Sequence, residues 1–178
     1  MRLRRLLFLT PIVLAACGLL TIDVDQDAET TVDGAGILGE LLGTVAFTGL
    51  DSFDVTVTQA LQDQDVEEGD LVSVRITTLS LAGDPDLSFL DGFDLYVSAE
   101  GLPEVLVASG EDFPEDNSAV ALALEDVELA PYVTAGGMVF RVDASGEAPV
   151  DDTTVHAHVE ASVEASVQGA CRQAKARK

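Results

Sequence analysis

Along most of this chain, apolar and polar residues alternate one for one, the period of a strand that buries one face and wets the other. The clearest run is Val155, Ala157, Val159, Ala161, Val163, Ala165 and Val167, interleaved with Thr154, His156, His158, Glu160, Ser162, Glu164 and Ser166. Val72, Val74 and Ile76 alternate with Ser73, Arg75 and Thr77, and Leu79 and Leu81 prolong that segment. Shorter runs of the same kind are Phe53-Val55-Val57, Phe93-Leu95-Val97, Val105-Val107, Val120-Leu122-Leu124 and Met138-Phe140-Val142. Turn-forming residues separate them, as at Glu68-Gly69-Asp70, Gly83-Asp84-Pro85-Asp86, Glu100-Gly101-Leu102-Pro103, Gly136-Gly137 and Ala148-Pro149-Val150-Asp151. Seven to eight strands with regular turns predict an all-β fold, an antiparallel β-sandwich of Greek-key or Ig-like type.

Two stretches break the alternation. Leu38, Leu41 and Leu42 stand at helical spacing and predict a short helix within 37–45, although Gly36, Gly39 and Gly43 weigh against it. Asp126–Val133 reads as a connecting turn or short helix, and Thr21–Gly36, polar and acidic, as a tether ending in a first strand.

Composition makes the core aliphatic. Apolar residues form 47 % of the 178, enough for one domain with a sizeable interior, but Trp is absent and Phe numbers seven. Charge is more lopsided: 32 acidic residues face nine basic ones, and all the basic residues but Arg75 and Arg141 lie near the two ends. A surface so anionic excludes nucleic acid as a partner, because binding phosphates requires basic groups that release their counterions. It also disfavours lying flat on anionic lipid.

The first 18 residues read as an export signal. Arg2, Arg4 and Arg5 precede the apolar stretch Leu6–Leu14, and Ala15-Ala16 supply small residues before Cys17. The tetrapeptide Leu14-Ala15-Ala16-Cys17 resembles the lipobox of bacterial membrane lipoproteins. That resemblance implies cleavage before Cys17, a thioether-linked diacylglycerol on its sulfur, and acylation of the new amino group. Gly18, in place of an Asp after the cysteine, implies by the same resemblance the outer membrane. An uncleaved membrane helix is the rival, but the apolar run Leu6–Ile22 is 17 residues long and interrupted by Pro11 and Gly18. Cleavage would leave six basic residues against 32 acidic ones, a net charge of −26. Cys171 is then an odd cysteine in an exported chain, read as an incidental thiol rather than half of a disulfide.

Candidate chemistry is sparse. Asp63, Asp65, Glu67, Glu68 and Asp70 crowd a loop, and calcium takes six to eight oxygens. The spacing departs from the EF-hand pattern, however, with Gly69 one place late and no closing Glu, so Asp63, Asp65, Glu67 and Asp70 are metal candidates against a solvated turn. Asp23, Asp25 and Asp27, and Glu111, Asp112, Glu115 and Asp116, are further acidic groups of the same kind. His156 and His158, two apart on a strand, share one face near Glu160; exposed strand residues explain them more simply than a transition metal does. Arg75 and Arg141 sit mid-strand and are expected to anchor cross-strand ion pairs rather than clamp an anionic ligand. No G-x-S-x-G elbow, Ser/His/Asp arrangement or phosphate-binding Gly-rich loop is present.

The expected organisation is therefore a lipoprotein signal over 1–16, an anchor and tether over 17–36, a β-sandwich over 37–168 and a basic tail over 169–178. The expected role is that of a lipid-anchored cell-envelope protein, non-enzymatic, with a binding or structural purpose. The alternative is a calcium-dependent, adhesin-like domain that binds a carbohydrate or protein through its acidic loops.

Overall fold

In the computed structural model, residues 19–34, 40–45, 50 and 53–166 are described. The unbroken alternation near the end of the sequence forms the longest-paired strand, β9 (Thr153–Ser166), which buries Val155, Ala157, Val159, Ala161, Val163 and Ala165 and turns its polar partners outward. On one side β9 pairs antiparallel with β1 (Leu19–Val32), from Leu19 opposite Ser166 to Val32 opposite Thr153. On the other it pairs with β3 (Leu71–Asp84), which in turn carries the two-residue β6 (Val120–Ala121). The first sheet is thus β1-β9-β3-β6. The second, β2-β8-β4-β5-β7, contains β2 (Glu40–Val45), β4 (Leu90–Ala99), β5 (Leu102–Glu111), β7 (Ala123–Leu124) and β8 (Val139–Glu147). Every pairing is antiparallel, and the molecule is an all-β sandwich, as the alternation predicts.

Two segments take a different structure from the one their local pattern predicts. The helix expected within 37–45 is not formed over Glu40–Val45, which is β2, laddered to β8 from Glu40 opposite Glu147 to Val45 opposite Val142. Gly43 costs a helix about 1 kcal/mol relative to Ala, whereas pairing with β8 satisfies the backbone whatever the side chain. Conversely, Phe53-Val55-Val57 belongs to a helix, α1 (Phe53–Asp63), that buries Phe53, Val57 and Leu61 at i, i+4 and i+8. Val55, expected on the buried side of a strand, is 64 % exposed. The β-branched Val55, Thr56, Val57 and Thr58 are weak helix formers, but burying three large side chains outweighs that preference.

The tether is also corrected. Leu19–Val32 is a full strand of the sandwich, with Val24 and Ala28 buried and Asp23, Asp25, Asp27 and Glu29 facing out. Its polar character reflects position, because β1 lies at the edge of its sheet, where charged side chains discourage pairing with another chain.

Alternation changes parity within β3. Val74 is buried and Ile76 half-buried, but after a bulge between Ile76 and Thr78 the inward residues are Leu79 and Leu81. The extra residue lets one strand keep facing the core while it bends. Val120-Leu122-Leu124 is likewise not one strand: β6 joins the first sheet, β7 the second, and buried Leu122 donates its N–H to Leu79 O (2.8 Å) at the crossing. The segment Asp126–Val133 leads into α2 (Ala130–Ala135), which packs against β3 and β4.

Candidate functional site

The acidic residues expected to hold a metal are spread along a connection rather than gathered. Asp63 ends α1 and accepts from Gln59 Nε2 (3.0 Å), while Asp65 turns the chain with φ of 55°. Val66 is buried, its N–H bonded to Leu61 O (3.0 Å), and pins the loop from inside. Asp63, Asp65 and Glu67 are exposed, and Asp70 closes a single 3-10 turn by donating its N–H to Glu67 O (2.8 Å). Among the described residues no three of His, Cys, Asp and Glu converge as metal ligands do. In the other acidic loop, Asp116 caps its own turn by accepting from Ser118 N (2.9 Å). Those side-chain and backbone hydrogen bonds hold its carboxyl below the usual range.

The two histidines do share the outer face of the first sheet. Register sets Asp27 opposite His158 and Glu29 opposite His156 across β1 and β9. His158 Nδ1 lies 2.7 Å from Asp27 Oδ1, and its Nε2 is 3.7 Å from Glu160. The Asp27 hydrogen bond and charge raise the His158 pKa above its ordinary value. His156 stands farther from its partner, 3.9 Å from Glu29. These are exposed cross-strand acid–base pairs beside a shallow depression that Ser80, Ala82 and Ala119 also line.

Both body arginines are anchors of ion pairs, as expected. Arg141 on β8 makes a two-pronged contact with Glu104 on β5 (2.9 and 2.7 Å), pairs with Asp143, and lies over the Tyr96 ring on β4 at 4.4 Å. It therefore ties three neighbouring strands, and the hydrogen bonds it donates to Glu104 and Asp143 drive its pKa further up. Beside it on the second sheet a trough of about 650 Å³ has a floor of small residues, including Gly92, Ser109 and Ser145, and a rim of carboxylates. Arg75 pairs with Asp126 and with Glu128 (3.6 Å).

Glu128 is the polar residue that sequence reasoning passed over. It accepts from Ser73 Oγ (2.7 Å), Val74 N (2.7 Å) and Ala130 N (3.0 Å). Burial opposes its ionisation, but those hydrogen bonds, with Arg75 nearby, prevail and hold the carboxyl below its usual pKa. The signal available in sequence was its place just before Ala130-Pro131, where a helix start has N–H groups to satisfy.

No protein-family model matches the chain, and no curated protein matches it. Two solved structures of the BFDV capsid protein resemble it in shape. The decameric form has a TM-score of 0.41 at 10 % identity, covering 83 % of this chain and 99 % of the other. The 60-mer has a TM-score of 0.37 at 12 % identity, covering 84 % and 94 %. Cys17 and Cys171 lie outside the described residues.

Proposed function

We propose that this chain is a lipid-anchored protein of the bacterial cell envelope, attached to the outer membrane through Cys17, whose sandwich serves as a non-enzymatic binding or structural module. The Leu14-Ala15-Ala16-Cys17 box carries the reading. The first described strand, β1, begins at Leu19, two residues past that cysteine in sequence. A diacylglycerol plus a third acyl chain, at about 0.8 kcal/mol per buried CH₂, holds such a protein firmly where one chain would not.

The non-enzymatic part rests on how the reactive side chains are used. His156 and His158 face outward from a sheet, each beside a carboxylate, and the two body arginines are ion-paired. Metabolic labelling with a fatty acid tests the anchor. Wild type should incorporate label and fractionate with membranes, and Cys17→Ser should lose both properties; equal labelling of the two would overturn the reading.

A further inference from the structure

β1 and β9 carry six carboxylates, Asp23, Asp25, Asp27, Glu29, Glu160 and Glu164, and His156 and His158 are the only side chains on either strand able to become positive. Period two sends all eight toward the outer face of the first sheet. Register then chooses the neighbours: Asp25 stands opposite Glu160, Asp27 opposite His158 and Glu29 opposite His156. Like charges directly opposite one another destabilise a strand pair, so Asp25 and Glu160 work against this seam. The seam matters because β1 is an edge strand, held in its sheet by β9 alone.

His158 counters that repulsion. Its Nδ1 lies 2.7 Å from Asp27 Oδ1 and its Nε2 3.7 Å from Glu160 Oε1, so a carboxylate stands at each ring nitrogen. A neutral imidazole has one N–H, and its other nitrogen presents a lone pair to a carboxylate; the imidazolium donates from both. Opening the seam takes Asp27 away from the ring, so proton uptake by His158 and closure of β1 on β9 favour each other. His156, whose Nδ1 is 3.9 Å from Glu29 Oε2, repeats the arrangement one pair along with looser geometry. The other elements bring nothing that opposes it. β3 sets Thr78, Ser80 and Ala82 opposite Glu160, His158 and His156, and its charged groups are Asp84, opposite Thr154, and Arg75, already paired with Asp126 and Glu128. β6 is uncharged, and α1, packed against β1, adds Asp54 and Asp63, both carboxylates.

We propose that this cluster is a proton-operated clasp on the edge strand: with His158 protonated, β1 is held closed on β9, and in alkaline medium it opens more often. The hydrogen bond to Asp27 and the charges of Asp27 and Glu160 raise the His158 pKa, which sets the sign. The stabilisation is complete below the ordinary imidazole value of 6.5 and is lost as pH rises through the higher folded value. An open β1 leaves one edge of β9 unpaired and uncovers Val24 and Ala28. Solvent acidity therefore sets how often a long strand edge is offered to other chains. The clasp stands on the described strands alone and is independent of the lipid anchor.

Amide hydrogen exchange on the full chain tests it, with rates corrected for the intrinsic pH dependence of exchange and the β4–β5 ladder as internal reference. Relative to that reference, β1 amides should be roughly threefold better protected at about pH 5.5 than at about pH 8. His158→Gln should remove most of that difference, and so should Asp27→Asn, which keeps the ring but takes away its partner. Relief of carboxylate repulsion in acid acts on wild type and His158→Gln alike, so a pH dependence that survives the substitution overturns the clasp. Equal protection of β1 at the two pH values in wild type overturns it as well. Proton NMR of the His158 ring gives a second readout: it should titrate above an ordinary imidazole in wild type and fall back toward one in Asp27→Asn. A ring whose titration is the same in both chains sinks the coupling.

Discussion

At the scale of single residues, the polar groups that matter most here are those that join elements adjacent only in three dimensions. Glu128 is the clearest, since one carboxylate satisfies the N–H of Val74 on β3 and the N–H of Ala130 at the start of α2. Glu128→Ala should lower stability by about 1–2 kcal/mol, the lower part of the range for a charged acceptor because the side chain keeps some contact with water. Its carboxyl is held below the ordinary value of 4.5. The contribution is therefore complete above that value and fades as pH falls through the depressed one. Urea unfolding at neutral pH and in acid checks both statements. Wild type and variant should differ at neutral pH and converge in strong acid, and a gap that persists in acid would assign the loss to packing.

At the scale of elements, α1 and β2 exchanged the structures that their local patterns predict, for a shared reason. A short apolar run, whether alternating as at 53–57 or helically spaced as at 38–42, does not fix its own period, and only the neighbours decide. Val55 and Val57 test the assignment directly because a strand would place both on one face. In α1, Val57 is fully buried and Val55 is 64 % exposed. Val57→Ala should cost about 1–3 kcal/mol, while Val55→Ser should stay within about 0.5 kcal/mol of wild type. Chemical denaturation of the two variants would show it, and equal losses would argue for a strand. Long alternation was legible: β9 follows the sequence position by position over its 14 described residues. The switch of parity in β3 was not, because a bulge is invisible until its partner strand is known.

At the scale of the whole molecule, charge is the dominant feature. Asp23, Asp25, Asp27 and Glu29 line one outward row of β1, and the cations that could offset them are few, with Arg75 and Arg141 already paired. Self-repulsion on this scale should destabilise the folded state at low salt. Raising NaCl to about 1 M shortens the screening length to about 3 Å. Melting temperature should then climb by about 2–4 °C for each kcal/mol of repulsion relieved. Calorimetry across a salt series measures this, and a flat series would mean that neighbouring groups already neutralise the carboxylates.

The sequence by itself determined the fold class, because period-two burial is written residue by residue and a sandwich is the arrangement that covers such strands. It also determined the anionic surface, the ion-pairing role of Arg75 and Arg141, and the lipobox on which the proposed anchor rests. Only the tertiary structure decided that Leu19–Val32 is a strand rather than a tether, that Glu128 bridges β3 and α2, and that among the described residues Asp63, Asp65, Glu67 and Asp70 do not converge as metal ligands. The physical reason is common to all three. Periodicity is a local property of the chain, whereas an edge position, a shared hydrogen-bond acceptor and the convergence of ligands depend on which distant segments are brought together.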